Sequence, residues 1–297
     1  MISDPAVFQN LPALCRSLQF HPEVTETLCR IADEKASSCW PEELLLLTEK
    51  DSAPKAAERL AAQAAGNGRH GLDVLAVMLA AALKTHKKYR ELGIPDSVFY
   101  DTMKCFPRFV EEHQAGFGFR GFDRDFWAWR QLSCVLFRLG TLEFEMRQYP
   151  SVPCQADGIS LNHQTPILSV HIPSDARLTK EALDDSFRQA EAFFPKYFPD
   201  FHYQAFFCGS WLLSDKLRAL LPDRSRIRFF QDYFTLIFQK DEDDAYQSFL
   251  FRRSYQNPED FPEDTSLQRA VKAHIRNGEK IGVGHGIRKP SVLRVIE

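Results

Sequence analysis

What the 297-residue chain lacks narrows its function first. Its seven cysteines, at positions 15, 29, 39, 105, 134, 154 and 208, are scattered, odd in number and never form a CxxC pair. That argues against a disulfide framework or a zinc ribbon and for reduced, buried small hydrophobes. The nine histidines show no HExxH or other ligand spacing, so no metal is expected. There is no run of Lys or Arg: 37 basic against 40 acidic side chains give a net charge of −3 and a pI of about 6.3. A surface that neutralises nucleic-acid phosphates is therefore not expected. The longest apolar stretches, such as Leu72 to Leu83, fall short of the ~20 residues that cross a bilayer. The segment Met1-Ile2-Ser3-Asp4-Pro5 has no basic stretch leading into an apolar one, so the expected location is cytoplasmic.

What is present is an ordinary globular composition, 44% hydrophobic and 26% charged, with room for two domains. Only Phe8, Phe20 and Phe99 of the 25 Phe precede residue 100, whereas Ala is concentrated in the first third, so two kinds of core are expected. Pro41-Glu42-Glu43 opens an acidic first helical turn, Ala56 to Ala65 is strongly helix-forming and ends at Gly66-Asn67-Gly68, and Leu72, Leu75, Leu79 and Leu83 form a helical stripe. Residues 1 to about 120 read as all-helical. HQAGFGFRGFDRD, between Glu111 and Asp125, reads as an aromatic loop, a junction or lid, and Phe126 to Arg138 as a helix running into a strand.

From Thr141 the period becomes two: Leu142, Phe144 and Met146 alternate with Glu143 and Glu145, which share the opposite face. Asp157-Gly158 marks a hairpin and Pro166 to Ile172 a strand. Thr179 is a candidate cap for a helix with Leu183, Phe187, Ala190 and Phe194 on one face. Tyr203 to Trp211, Ile227 to Phe238 and Tyr246 to Arg252 read as strands, Ser214 to Leu221 and Ser266 to Arg276 as helices. The Gly-rich tail Gly278 to Gly286 reads as a segment that closes the last helix and passes close to the sheet; a phosphate cradle with Lys280, Arg288 and Lys289 is the alternative.

This element order resembles the later part of the GNAT acyltransferase fold, in which a central strand splays from its neighbour and acyl-CoA enters the gap. The phrases RLGTLEFEM, ILSVHIP, CGSWLL and KIGVGHGI resemble a bacterial N-acyltransferase family with a helical N-terminal domain. The resemblance implies an α+β protein: an all-helical domain over 1–138, then a GNAT-like mixed β-sheet flanked by helices over 139–297. It implies acyl transfer from acyl-CoA or acetyl-CoA to a small-molecule amine by direct attack in a ternary complex, with the helical domain shaping the acceptor side and Phe117, Phe119 and Phe122 covering it.

In that fold the CoA pyrophosphate sits on N–H groups opening the helix after the splayed strand, usually through Gln/Arg-x-x-Gly-x-Gly/Ala. The matching stretch here, His171 to Thr179, has no glycine. Ile172, Ser174, Ala176, Arg177 and Thr179 are the cofactor-binding candidates, with Trp211 as a wall of the acyl pocket. An ordinary strand-to-helix turn with a Thr cap is the alternative. Candidate bases are His171, Glu143 and Glu145, against a buried structural His and a solvated strand face. His163 reads as a surface residue. Ser210 and Tyr233 are further catalytic candidates, Tyr233 and Tyr203 standing in for a Tyr acid that Ser214 to Leu221 lacks. Two rival functions stay open: a non-catalytic ligand-binding or scaffold protein, and a hydrolase using Cys208.

Overall fold

The structure is a computed structural model that describes residues 10–36 and 41–291. The readings made on Met1 to Pro5 and on Cys39 lie outside the described residues. The chain divides into two compact units, residues 1–137 and 138–297.

The first unit is helical up to Leu132, through α1 (Leu11–Ser17), α2 (Pro22–Ala36), α3 (Pro41–Leu46), α4 (Ala53–Ala64), α5 (Leu72–Glu91), α6 (Asp96–Met103), α7 (Cys105–Phe117) and α8 (Asp125–Leu132). Helix α4 has Pro54 in its first turn and buries Ala53, Ala56, Ala57, Leu60 and Ala64, a helical stripe of small residues that brings it close to its neighbours. Helix α5 is the centre of this unit: every residue from Val74 to Ala82 is buried, so it is covered all round rather than along one Leu stripe. It starts at Gly71, whose φ is +77° and where a Cβ would lie 2.0 Å from the Phe122 carbonyl oxygen, so only glycine fits. The aromatic stretch is a loop only in part. Burial of Phe106, Phe109 and Val110 carries α7 on to Phe117, and Gly118 at φ +83° stops it. Phe117 and Phe119 remain exposed beside the His113 ring, while Phe122 is buried.

The second unit is built on a six-stranded sheet, formed by β1 (Leu136–Leu139), β2 (Leu142–Gln148), β5 (Pro166–His171), β6 (Ala205–Ser210), β7 (Thr235–Lys240) and β8 (Val283–Arg288) in the order β1-β2-β5-β6-β8-β7. Strands β3 (Cys154–Ala156) and β4 (Ile159–Leu161) form a separate hairpin. Its turn residues Asp157 (φ +53°) and Gly158 (φ +76°) are both left-handed, as a tight two-residue turn requires. Helix α9 (Lys180–Tyr197) lies on one sheet face, where Phe187 meets Phe144 and Phe206 with ring centroids 5.9 and 5.0 Å apart. The opposite face carries a second cluster, with Ile167, Ala205, Phe207 and Ile287 from the sheet and Ile159 and Leu161 from the hairpin.

Two strand readings are corrected here, and the Gly-rich tail is found to enter the sheet. Residues 227–238 are split into α11 (Arg226–Gln231) and β7, after α10 (Asp215–Leu220). Ser225 caps α11 through the Ile227 N–H at 3.2 Å, and Phe230 turns into the core. Residues 246–250 form a short helix, α12 (Tyr246–Leu250), whose Tyr246 joins a cluster with Trp211, Phe251 and Phe261. The Gly-rich tail that follows α13 (Ser266–Arg276) is an inner strand, β8, bonded to β6 and β7. Its glycines fit there because a Cβ on Gly284 would lie 2.3 Å from the Leu213 carbonyl oxygen. The expected helix into β1 ends early, at Leu132.

The β1–β2 turn is pinned to α9 by one buried hydroxyl. Ser186 Oγ accepts the Thr141 N–H at 2.7 Å and the Leu142 N–H at 3.2 Å. Ser186→Ala leaves two buried donors unpaired and is expected to lower unfolding stability by roughly 2–3 kcal/mol, measured by chemical denaturation; a loss under about 0.5 kcal/mol, the size usual for uninvolved surface positions, would contradict the pinning.

Candidate active site

The central feature is where a ladder stops. Strands β5 and β6 run parallel and pair at Ile167 with Ala205, Leu168 with Phe206 and Ser169 with Phe207, and no further. Each continues past that point on its other edge. His171 is still paired with Glu143 of β2, and Cys208, Gly209 and Ser210 with Gly286, His285 and Gly284 of β8. The two central strands therefore diverge after Ser169 and Phe207, opening a slot inside the sheet.

Strand register determines what surrounds the slot. Extending the β5–β6 register by two residues sets Gly209 across from His171, so Glu143, His171, Gly209 and His285 form one row on the face opposite α9. The next row is Glu145, Ser169, Phe207 and Ile287. His171 Nε2 lies 2.9 Å from Glu145 Oε2. A carboxylate only accepts, so Nε2 is the donor in this pair. Glu143 and Glu145 are 3% and 5% exposed, which corrects the solvated-face alternative. Arg147 stands 3.8 Å from the same Glu145 oxygen.

The turn from β5 to α9 is built without glycine because it contains no left-handed residue. Ala176 N–H bonds the Pro173 carbonyl at 2.9 Å, Arg177 N–H bonds Thr141 Oγ1 at 2.6 Å, and Thr179 Oγ1 accepts the Ala182 N–H at 3.4 Å. Asp175 is held by Arg138 at 2.9 Å, which offsets its charge. The Arg177 side chain is exposed, Ser174 is exposed, and Ile172 and Ala176 are half-buried. The opening N–H groups of Lys180 and Glu181 have no carbonyl one turn back within the helix.

Residues 136–288 match the family model described as the GNAT-like C-terminal domain, and residues 9–134 match the N-acyltransferase N-terminal domain. The chain belongs to this N-acyltransferase family. No curated protein matches it. Similar solved structures include an acyltransferase in complex with decanoyl-CoA and teicoplanin, at 23% identity and a TM-score of 0.73 over 95% of this chain and 88% of that one. Another is an acyltransferase in complex with CoA and 10C-teicoplanin, at 24% identity and a TM-score of 0.71 over 94% and 87%. The likeness extends the shared fold over both units.

Within the GNAT-like unit the structure brings together His171, Glu143 and Glu145, but not the other catalytic candidates. Tyr233 lies on the α9 side, where its hydroxyl donates to Asp184 at 2.6 Å and Arg288 lies over its ring. Burial and the Asp184 carboxylate push its phenol above the ordinary range. Ser210 Oγ caps a 3-10 turn through the Leu212 N–H at 3.1 Å. Trp211 is packed with Leu217, Tyr246 and Val271, so its ring belongs to the core and not to an open pocket. Tyr203 packs its ring on Phe194 and Phe206. Cys208 is fully buried, and burial pushes its thiol well up, against the thiolate that a hydrolase needs. His163 Nδ1 is 3.4 Å from the Tyr149 carbonyl. No described helix is long and apolar enough to cross a membrane.

The residue missed from the sequence is His285. Its Nδ1 lies 2.6 Å from Ser151 Oγ, and its ring touches Phe207 and Phe238. Burial lowers its pKa below the ordinary 6.5; Lys240 acts in the same direction and Asp243 against it. The unfolded chain thus takes up a proton near pH 6.5 that the folded chain resists, and stability falls as the pH drops through and below that value. Denaturation midpoints between pH 7.5 and pH 5.5 are expected to show this loss, and His285→Gln to flatten it; an unchanged slope would refute the assignment.

Proposed function

We propose that the chain moves an acyl group from an acyl-CoA to a small-molecule amine by direct attack in a ternary complex. The observation that carries this is the slot between β5 and β6, with the His171–Glu145 pair on its rim and the first turn of α9 immediately downstream. An unpaired strand edge is a place where an extended ligand with amide groups can add hydrogen bonds, as the pantetheine arm of CoA would along Val170 to Ile172. The pyrophosphate would sit on the Lys180 and Glu181 N–H groups, assisted by the Ser174, Arg177 and Thr179 side chains, while the Ala176 N–H is already held by the Pro173 carbonyl. Tyr233, bonded to Asp184 one turn into α9, steadies that first turn on the α9 side of the sheet.

Glu145 orients His171 and stabilises the imidazolium that forms when the ring takes the ammonium proton. The free amine attacks the thioester carbonyl, and the C–S bond breaks as the amide forms. The structural relatives were solved with decanoyl-CoA and with teicoplanin, which supports a fatty-acyl donor and a small amine acceptor for this chain. An acyl-CoA donor also suits the cytoplasmic location expected from the sequence.

Octanoyl-CoA at 100 times its Kd is expected to stabilise the folded protein by about 2.7 kcal/mol, read as a rise in Tm, and Arg177→Ala to shrink that rise. No rise with CoA or any acyl-CoA would overturn the reading in favour of a scaffold protein. His171→Gln is expected to keep octanoyl-CoA binding while amine-dependent release of CoA thiol falls by roughly 10²–10⁴-fold.

A further inference from the structure

Gly209 stands between two imidazoles. In the row that crosses the slot, His171 is on one side of it and His285 on the other, and both belong to the sheet face opposite α9. At about 4.8 Å per strand the two backbones are roughly 10 Å apart, and wider where β5 and β6 splay. A Cβ on Gly209 would lie 3.3 Å from His285 Cδ2 and 3.5 Å from Nε2, so the Nε2 edge of the ring leans over the glycine. The space left by the missing side chain is bounded by the His285 and Phe207 rings, and His171 stands across from it in the row.

The hydrogen bonds behind His285 settle which nitrogen faces that space. Nδ1 is engaged by Ser151 Oγ at 2.6 Å, which leaves Nε2 as the nitrogen on the Gly209 side. In the tautomer the reaction needs, Ser151 Oγ accepts the Nδ1–H. Nε2 is then left with its lone pair directed toward Gly209.

We propose that His285 is a second catalytic imidazole of the slot, which takes the second proton of the attacking nitrogen and delivers it to the departing sulfur. The proposal rests on the acyl-CoA reading. An ammonium has three N–H bonds and the amide keeps one, so two protons must leave. The first goes to the His171 imidazole before the N–C bond forms. The second goes to His285 Nε2 as the C–S bond breaks, and then to the thiolate, giving CoA thiol. The His171 proton is released to water, which balances the reaction. Ser151 is a positioning residue in this scheme. The charged groups around His285 are Lys240 on β7 and Asp243 just beyond it.

The test is alkylation of the full chain by 2-bromoacetyl-CoA, mapped by peptide mass spectrometry, with octanoyl-CoA as protectant. A lone pair on Nε2 displaces bromide and forms an N–C bond, so a protectable label on His285 is expected, in the wild type or in His171→Gln. It should be lost in His285→Gln and reduced in Ser151→Ala, where nothing holds the proton on Nδ1. Octanoyl-CoA binding without a protectable label on His285, even in His171→Gln, overturns this proposal and leaves the transferase reading standing. Absence of both octanoyl-CoA binding and any protectable label overturns the transferase reading itself.

Discussion

Backbone amides and carbonyls inside a sheet need partners, and the interruption of the β5–β6 ladder after Ser169 and Phe207 withholds them at the centre of this one. Every other inner edge nearby is satisfied: β5 keeps its bonds to β2 up to His171, and β6 keeps its bonds to β8 up to Ser210. The gap is held open from both sides by strands that cannot close it without giving up those ladders. A ligand with its own amide groups is the natural filling, which makes the slot a consequence of topology before any side chain is considered. The side chains then decide the chemistry.

Those side chains are an unusual choice for an inner strand face. Burying Glu143 and Glu145 at 3% and 5% exposure has a desolvation cost that an apolar residue would not incur. Glu145 offsets part of it through His171 and Arg147. On β2, β5 and β6 the α9 face is made of Phe144, Leu168 and Phe206, which shows how readily this sheet accepts apolar side chains. Glu143 and His171 sit at the splayed end, next to the slot, and Glu145 is in the last paired row before it.

Local signals in the sequence carried much of this. The alternation from Leu142 to Met146 placed both glutamates on one face, and Thr179 was read as the cap it is. The parity of a strand does not say whether its polar face is wet, because that depends on which distant segments lie over it, and so the burial of Glu143 was not legible. Ile227 to Phe238 misled for another reason. Aromatic and β-branched residues raise strand propensity, but Ser225 nucleates a turn of helix and Phe230 finds the core from it. His285 was hidden by its glycines, which weaken any strand pattern; only the pairing of β8 with β6, some 75 residues earlier as counted from the register of Gly209 with His285, sets it beside the slot.

The glycine-free turn after β5 illustrates how one local solution replaces another. A glycine-rich loop supplies left-handed φ values and close backbone approach to phosphate. Here residues 172–179 avoid positive φ altogether, and the turn is fastened from outside instead. Thr141 Oγ1 accepts the Arg177 N–H, the Thr141 N–H is held in turn by Ser186 of α9, and Arg138 holds Asp175. The β1–β2 turn thus ties the strand that carries Glu143 and Glu145 to the turn that opens α9. The N–H groups proposed to hold an anion and the proposed base are tied to the same three contacts, so a turn without glycine still leaves the first N–H groups of α9 in place.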